Sequence, residues 1–250
     1  MTTLTIPAIA PIILAGGLAT VTFGFSYISS ISKEQMSYPY YFLSASVDFA
    51  PSRNVATLFL SPAMTVCLPL IAVARYLLVK ASGLNGRLNT AACLAAFMCA
   101  LGGHGVAAFP WSDNNDVHLY FAGLFFTFGI VVAVMQVAID RKYNIETNKK
   151  SSERVRICSA LFGFFLLLAM GLMGMYMLWG AGDNESVIFT FALVEITYVL
   201  NLLVVYLSFI PEMLHLRIAL SVVGKIELEQ LLSPPSTAAA AASTIKMTTV

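Results

Sequence analysis

The chain has 250 residues, of which 58% are hydrophobic and 11% are charged, and its formal net charge is +1 at pH 7. A water-soluble domain carries about 25% charged residues, so this composition excludes a soluble globular protein and indicates a polytopic membrane protein. The near-neutral charge argues against nucleic acid as a partner, because binding a phosphate backbone needs a basic face.

Six apolar segments are long enough to cross a hydrocarbon layer of about 30 Å as helices. They are predicted at about 6–31, 56–79, 90–109, 118–139, 157–180 and 187–210. The fourth has the sharpest boundaries, because it holds no Lys, Arg, Asp or Glu between His118 and Ile139. The sequence therefore predicts an all-α fold, a six-helix transmembrane bundle that occupies residues 1–212.

The distribution of the 14 Lys and Arg residues predicts how the bundle is oriented. Only Lys33 and Arg53 fall in connections on one side, and all the others fall on the side that holds both termini. Because Lys and Arg accumulate in cytoplasmic loops, we expect both termini to be cytoplasmic. The first connection, 32–55, then lies outside, and its many aromatic residues predict that it rests on the membrane interface.

The segment 213–250 is predicted to be a cytoplasmic tail, amphipathic in its first part and disordered beyond it. Four apolar residues have the spacing of an interfacial helix: Met213, Leu216, Leu220 and Val223. Further along, Glu227, Leu231 and Leu232 fit the acidic dileucine motif that cytosolic sorting adaptors bind. The last residues, Thr248-Thr249-Val250, fit the terminal ligand of a PDZ-type domain. The tail thus offers two candidate protein partners, and the spans make membrane lipids a third.

Glu195 is the most informative polar residue, because it lies inside the sixth apolar segment. An ionised carboxylate there is costly, so it must be protonated, paired or reached through a polar cleft. His104 and His118 are predicted at similar depth on two other helices, and the three side chains have the chemistry of a metal site or an acid–base pair. They come singly from three helices, however, so we predict no catalytic residue, metal or cofactor. A polar cluster that holds the helices in register is the favoured interpretation.

Gln136, Arg75 and Asn201 are predicted to be structural polar residues within the membrane. On a helix of 100° per residue, Gln136 shares one face with His118 and with the small residues of the fourth segment. A face that holds the polar and small residues of a membrane helix points into the bundle. We therefore expect Gln136 to form a hydrogen bond with a neighbouring helix.

Several short segments stand in an order that is typical of one protein family. They are Tyr27-Ile28-Ser29, Arg75-Tyr76, Gly105-Val106-Ala107 with Phe109, His118 with Gln136, Glu195, Tyr206-Leu207-Ser208-Phe209-Ile210 and Arg217-Ile218. In these segments the chain resembles the damage-regulated autophagy modulator (DRAM) family. That family is related to GPI-lipid remodelling proteins and to the N-terminal region of the fungal CWH-type cell-wall proteins.

The resemblance implies six helices with cytoplasmic termini, residence in internal membranes, and a role in autophagy or lipid handling. It implies no established catalytic residues. The chain departs from the family at two places, where Ser30 and Ser52-Arg53 stand instead of acidic residues. Those departures weaken any ligand-binding role for the first outer connection.

Three functional hypotheses follow. The first is a non-enzymatic modulator of autophagy or lysosome function that acts through lipid or protein contacts, in lysosomal or endosomal membranes. The Golgi, the ER and the plasma membrane are alternative compartments. The second is GPI-anchor lipid remodelling or other membrane-lipid acyl chemistry, with Glu195, His104 and His118 lining an outward cleft. The third is a small-solute or proton-coupled transporter that uses Glu195, although the sequence has no inverted repeat to support it.

Overall fold

A computed structural model of the protein describes residues 3–82, 86–143, 150–177, 184–214 and 217–221. Within these ranges, six helices are long and apolar enough to cross a membrane. They confirm the predicted all-α bundle of six spans and make the chain a multi-pass membrane protein.

The first and last residues of most helices differ by a few positions from those of the predicted spans. They are α1 (Ala10–Ser32), α2 (Ser52–Ala81), α3 (Arg87–Ala108), α4 (Asn115–Tyr143), α5 (Lys150–Tyr176) and α6 (Glu185–Leu207), which a short α7 (Ile210–Met213) continues. The first helix begins later than expected, at Ala10, with Pro11 in its first turn. Proline is tolerated there because its missing N–H has no helical acceptor in any case.

Two π-helical segments interrupt α2 around its first proline. They are Ala56–Leu60 and Ala63–Cys67, and Pro62 lies between them. A proline inside a helix removes one backbone donor and its ring collides with the preceding turn, and a wider π turn relieves that collision. The second proline, Pro69, stands in the first turn of the regular helix that follows. The sequence of α2 therefore changes the helix type locally without ending the span.

A pair of short strands, absent from the predicted fold, joins the segment before the first span to the segment after the last. Strand β1 (Thr3–Pro7) pairs antiparallel with β2 (Arg217–Ser221), with Thr3 opposite Ser221 and Pro7 opposite Arg217. The expectation of an amphipathic helix through 213–223 is wrong for β2, because its backbone groups bond to a strand more than 200 positions away, which local spacing does not reveal. We call this the strand end of the bundle, and the opposite end, which carries the connection 33–51, the loop end.

A tight contact between α3 and α4 depends on glycines of α3. A Cβ added at Gly102 would lie 2.4 Å from the backbone nitrogen of Phe125, and one at Gly105 would lie 2.1 Å from the ring of Phe121. Only a hydrogen atom fits at either position, so the backbone of α3 touches the backbone of α4 at Gly102 and the Phe121 ring at Gly105. This contact fixes α4, and with it His118, against the bundle.

Candidate functional site

A cavity of about 40 Å³ lies between α1, α2, α3, α4 and α6, near the loop end. The connection 33–51 supplies part of its wall. Most lining residues are apolar, and the polar side chains among them are Ser44, His118 and Glu195. We call it the central cavity. A pocket with an apolar lining and a few convergent polar groups is the usual form of a ligand site in a helix bundle.

Glu195 is buried in α6, with 7% of its surface exposed. Its Oε2 accepts a hydrogen bond of 2.8 Å from the backbone N–H of Leu43 in the connection 33–51. The backbone and the side chain of Ser44 also form hydrogen bonds with this carboxylate. The carboxylate thus anchors the connection to the bundle while it lines the central cavity.

The connection 33–51 is attached to the bundle at several other points. Phe42 packs edge-on against Phe191 of α6, with ring centroids 5.6 Å apart. The Ser30 hydroxyl of α1 donates to the Ser46 carbonyl at 2.7 Å. Further contacts with the bundle are Tyr38 with Phe189 and Asp48 Oδ1 with the Ser112 amide, and Gln35 donates to the Ala50 carbonyl within the connection itself. The connection therefore crosses from α1 to α6 as a packed cover, more closely held than a loop that rests on the interface.

His118, at the start of α4, is buried with 2% of its surface exposed. Its Nδ1 lies 2.8 Å from the carbonyl oxygen of Phe109. A carbonyl can only accept, so Nδ1 carries the proton of this hydrogen bond. The indole of Trp111 packs edge-on against the imidazole, with centroids 5.9 Å apart. The imidazole is thus held in one orientation beside the cavity.

His104 is engaged elsewhere. Its Nδ1 lies 2.7 Å from the Ser61 hydroxyl, which joins α3 to α2. The structure therefore brings Glu195 and His118 to one cavity and places His104 in a helix contact. Across the described ranges, no three His, Cys, Asp or Glu side chains converge as metal ligands.

A second polar site, at the strand end, is a cluster of four buried charges that we call the ionic cluster. Arg75 of α2 donates to Asp140 of α4 and to Glu212 of α7. Arg156 of α5 donates to the same two carboxylates, at 2.5 Å to Asp140. Each side chain is at most 9% exposed. The charges balance, and each arginine bridges both acids, so α2, α4, α5 and α7 are joined at one point.

Neutral groups complete the ionic cluster. Arg75 Nε donates to Gln136 Oε1 at 3.1 Å, which is the interhelical bond expected of Gln136. Arg156 Nε and Nη2 donate to the hydroxyl and the carbonyl of Ser208, each at 3.0 Å. The centroid of the Phe209 ring lies 4.6 Å from the guanidinium carbon of Arg156 and 5.5 Å from that of Arg75. Such cation–π contacts replace part of the hydration that the buried guanidinium groups lose.

Among the four charges of the ionic cluster, the sequence singles out Arg75 as a structural polar residue, together with its partner Gln136. It does not single out Asp140, Arg156 or Glu212. One signal was available: Gln136 and Asp140 are four residues apart, so they share one face of α4. Nothing local pointed to Arg156 or Glu212.

Asn201, the third predicted structural residue, joins α6 to α5. Its Nδ2 donates to the Ser159 carbonyl at 3.0 Å. Gly163 allows this approach, since a Cβ there would lie 2.7 Å from the same Nδ2. The tail motif of Glu227, Leu231 and Leu232, and the terminal Thr248-Thr249-Val250, lie outside the described residues.

Comparison with known proteins identifies the family to which this chain belongs. Searches of curated protein sequences and of solved structures each found no significant match to this chain. One family model, the Frag1/DRAM/Sfk1/Cwh43P N-terminal domain, matches residues 3–216. This match begins in β1 and ends just before β2, so it takes in all six spans, the central cavity and the ionic cluster. The chain therefore belongs to the Frag1/DRAM/Sfk1/Cwh43P N-terminal domain family.

Proposed function

We propose that this protein is a non-enzymatic membrane protein that modulates autophagy and lysosome function through contacts with lipids or other proteins. Its family and its six apolar spans support a role within the membrane. The link to autophagy rests on what the resemblance to the DRAM family implies.

The observation that carries the proposal is the way Glu195 is used. A catalytic carboxylate has to reach its substrate, whereas Glu195 accepts the Leu43 amide and fastens the connection 33–51. The cavity beside it measures about 40 Å³, whereas sites for whole ligands are typically about 300–1,000 Å³. This geometry supports an anchoring role over chemistry on a lipid chain.

The proposed compartment is the endosome or lysosome, and the dileucine motif of the tail supports it. Changing Leu231 and Leu232 to Ala removes the apolar side chains that a sorting adaptor would bind. We expect the variant to leave lysosomes and accumulate at the cell surface in fluorescence imaging. Removal of Val250 alone is the control, since it affects only the PDZ-type ligand. Delivery that is unchanged in the Leu231 and Leu232 variant would rule out sorting by this motif.

A second candidate function is membrane-lipid acyl chemistry, including GPI-anchor remodelling. The observation that favours it is that Glu195 and His118 line the same cavity. A carboxylate and an imidazole are a common acid–base pair. His104 would have no direct part, because its ring is engaged with Ser61.

One experiment separates the two functions. Cells that lack the protein are rescued with the wild type, with Glu195→Gln or with Glu185→Gln, an exposed residue of the same helix that serves as the matched control. Autophagic flux and GPI-lipid composition are both measured. The proposal expects flux to change on loss and GPI lipids to stay constant. A change in GPI lipids that wild type reverses and Glu195→Gln does not would favour the enzyme instead.

A further inference from the structure

We propose that the central cavity binds a primary ammonium group, held between the Glu195 carboxylate and the His118 imidazole. The inference deepens the proposed lipid-contact role, and rests on it, by naming the head group that would be recognised. Its test is a binding measurement on the purified protein, so its failure would leave the cell-based test of the proposed function untouched.

The charge of the cavity is the first argument. Glu195 and His118 are the titratable residues among its lining groups, and no lysine or arginine is among them. Burying a carboxylate within the membrane is costly, and its charge stays unbalanced unless a cation accompanies it. The N–H groups of Leu43 and Ser44 and the Ser44 hydroxyl supply donors but no charge. A cationic ligand would supply the balancing charge at the position where the protein has none.

The hydrogen-bonding character of the cavity is the second argument. His118 donates from Nδ1 to Phe109, so in the neutral ring Nε2 is an acceptor. Among the described residues, Nε2 has no hydrogen-bond partner. The carboxylate of Glu195 is an acceptor too. The cavity therefore offers two acceptors from different helices, and a primary ammonium group has three donors and no acceptor.

Size and lining are the third argument. A cavity needs a volume of about 10–15 Å³ to hold one water molecule. The central cavity, at about 40 Å³, therefore admits a group of two or three heavy atoms. A –CH₂–NH₃⁺ head has two heavy atoms, whereas a quaternary ammonium has five. The aromatic rings of Phe23, Phe125 and Phe126 also line the cavity, and such rings favour a cation over a neutral group.

The test uses full-length protein in detergent and methylammonium as the probe. Trp111 lies against His118, so its fluorescence reports occupancy of the cavity. We expect a saturable change in fluorescence and a rise in the unfolding temperature with methylammonium. Tetramethylammonium and potassium chloride, at equal ionic strength, are expected to give neither, because they have no N–H donors. Equal effects of the three salts, or no saturation with methylammonium, would overturn the proposal.

Variants of the protein provide a second test of the proposed ammonium site. Glu195→Gln keeps an oxygen that can accept from Leu43 but removes the charge, so we expect at least a tenfold loss of methylammonium affinity. Glu185→Gln is the matched control and is expected to bind as the wild type does. Unchanged affinity in a folded Glu195→Gln protein would contradict the proposal. If that variant does not fold, the comparison of salts on the wild type still decides.

The source of the ammonium group is distinguished last. The protein is reconstituted in phosphatidylcholine vesicles with or without phosphatidylethanolamine, and methylammonium binding is repeated. Competition by phosphatidylethanolamine, lost in Glu195→Gln, identifies a lipid head group as the ligand. Undiminished methylammonium binding in both vesicles identifies a soluble amine, which satisfies the same site. Competition that persists in Glu195→Gln would contradict recognition by this carboxylate.

Discussion

The backbone amide of Leu43 donates a 2.8 Å hydrogen bond to Oε2 of Glu195, although the two residues are 152 positions apart. This bond joins the cover of the loop end to the sixth span. It also explains why a carboxylate is accepted there, since it satisfies a backbone donor that burial removes from water.

Replacing Glu195 by Leu should loosen the connection 33–51. The Leu43 N–H would lose its acceptor, which costs about 1–3 kcal/mol for a buried group. We expect faster hydrogen exchange at Leu43 and Ser44, measured by mass spectrometry on the intact protein. Glu195→Gln, which retains an acceptor, should exchange almost as slowly as the wild type. Protection of Leu43 that is the same in the Leu variant would show that the bond is not what holds the cover.

Removing one arginine of the ionic cluster should destabilise the bundle strongly. In Arg156→Met, Asp140 and Glu212 keep only one cation between them, and breaking a buried ion pair costs about 3–5 kcal/mol. We expect a clear fall in the unfolding temperature in detergent. Arg154→Met, on the exposed face of the same helix, is the control and should change stability little. Equal stability of the two variants would contradict a structural role for the cluster.

A double variant measures the coupling between two opposite charges of the cluster. Arg75→Met together with Asp140→Leu leaves the Arg156–Glu212 pair with balanced charge. We expect the double variant to lose less stability than the two single variants combined, with a coupling of about 0.5–3 kcal/mol. The unfolding free energies of the four proteins give this coupling directly. Simple additivity would mean that Arg75 and Asp140 do not interact.

Gly102→Ala should separate α3 from α4. The new Cβ would meet the backbone nitrogen of Phe125 at 2.4 Å, and a backbone atom cannot rotate away as a side chain can. Overpacking of this kind costs about 1–3 kcal/mol. Gly123→Ala on α4 is the control, because nothing lies within 4 Å of its added Cβ. Thermal unfolding should show a loss for the first variant and none for the second.

The pairing of β1 with β2 predicts that two cysteines introduced at opposite positions will form a disulfide. Thr5 lies opposite Ala219, and partners in an antiparallel pair have Cα atoms about 4.5–5.5 Å apart, within the range of a disulfide. We expect Thr5→Cys with Ala219→Cys to cross-link on mild oxidation, in a chain whose exposed Cys158 is replaced by Ser. Thr5→Cys with Glu185→Cys should not cross-link, because Glu185 is at the loop end. A shift in gel mobility after proteolysis between the two positions reports the link.

Much of the architecture was predictable because it depends on local properties. Apolar length gave the six spans, and the inward face of α4 followed from its helical period, with His118 and Gln136 both buried. Their positions needed no knowledge of the other helices. The partner of Gln136, by contrast, depends on the packing of the helices, because only the folded bundle places Arg75 beside it.

The charge of a residue was the least reliable predictor of whether its side chain is buried. Asp140 and Arg156 stand at helix ends beside a basic connection, where exposure to water is the ordinary expectation. They are buried because Arg75 and Glu212 bring the complementary charges to the same point. The strands were missed for a similar reason, since each is a five-residue segment whose partner is at the other end of the domain.

The amino-acid sequence by itself determined that this protein crosses the membrane six times, because transfer into the bilayer depends on the composition of each segment separately. The tertiary structure alone decided that Glu195 binds the Leu43 amide and lines one cavity with His118, and that four distant charges form one neutral cluster. Those contacts join residues far apart in the chain. Their free energy exists only once the helices have packed, so no single segment carries a sign of them.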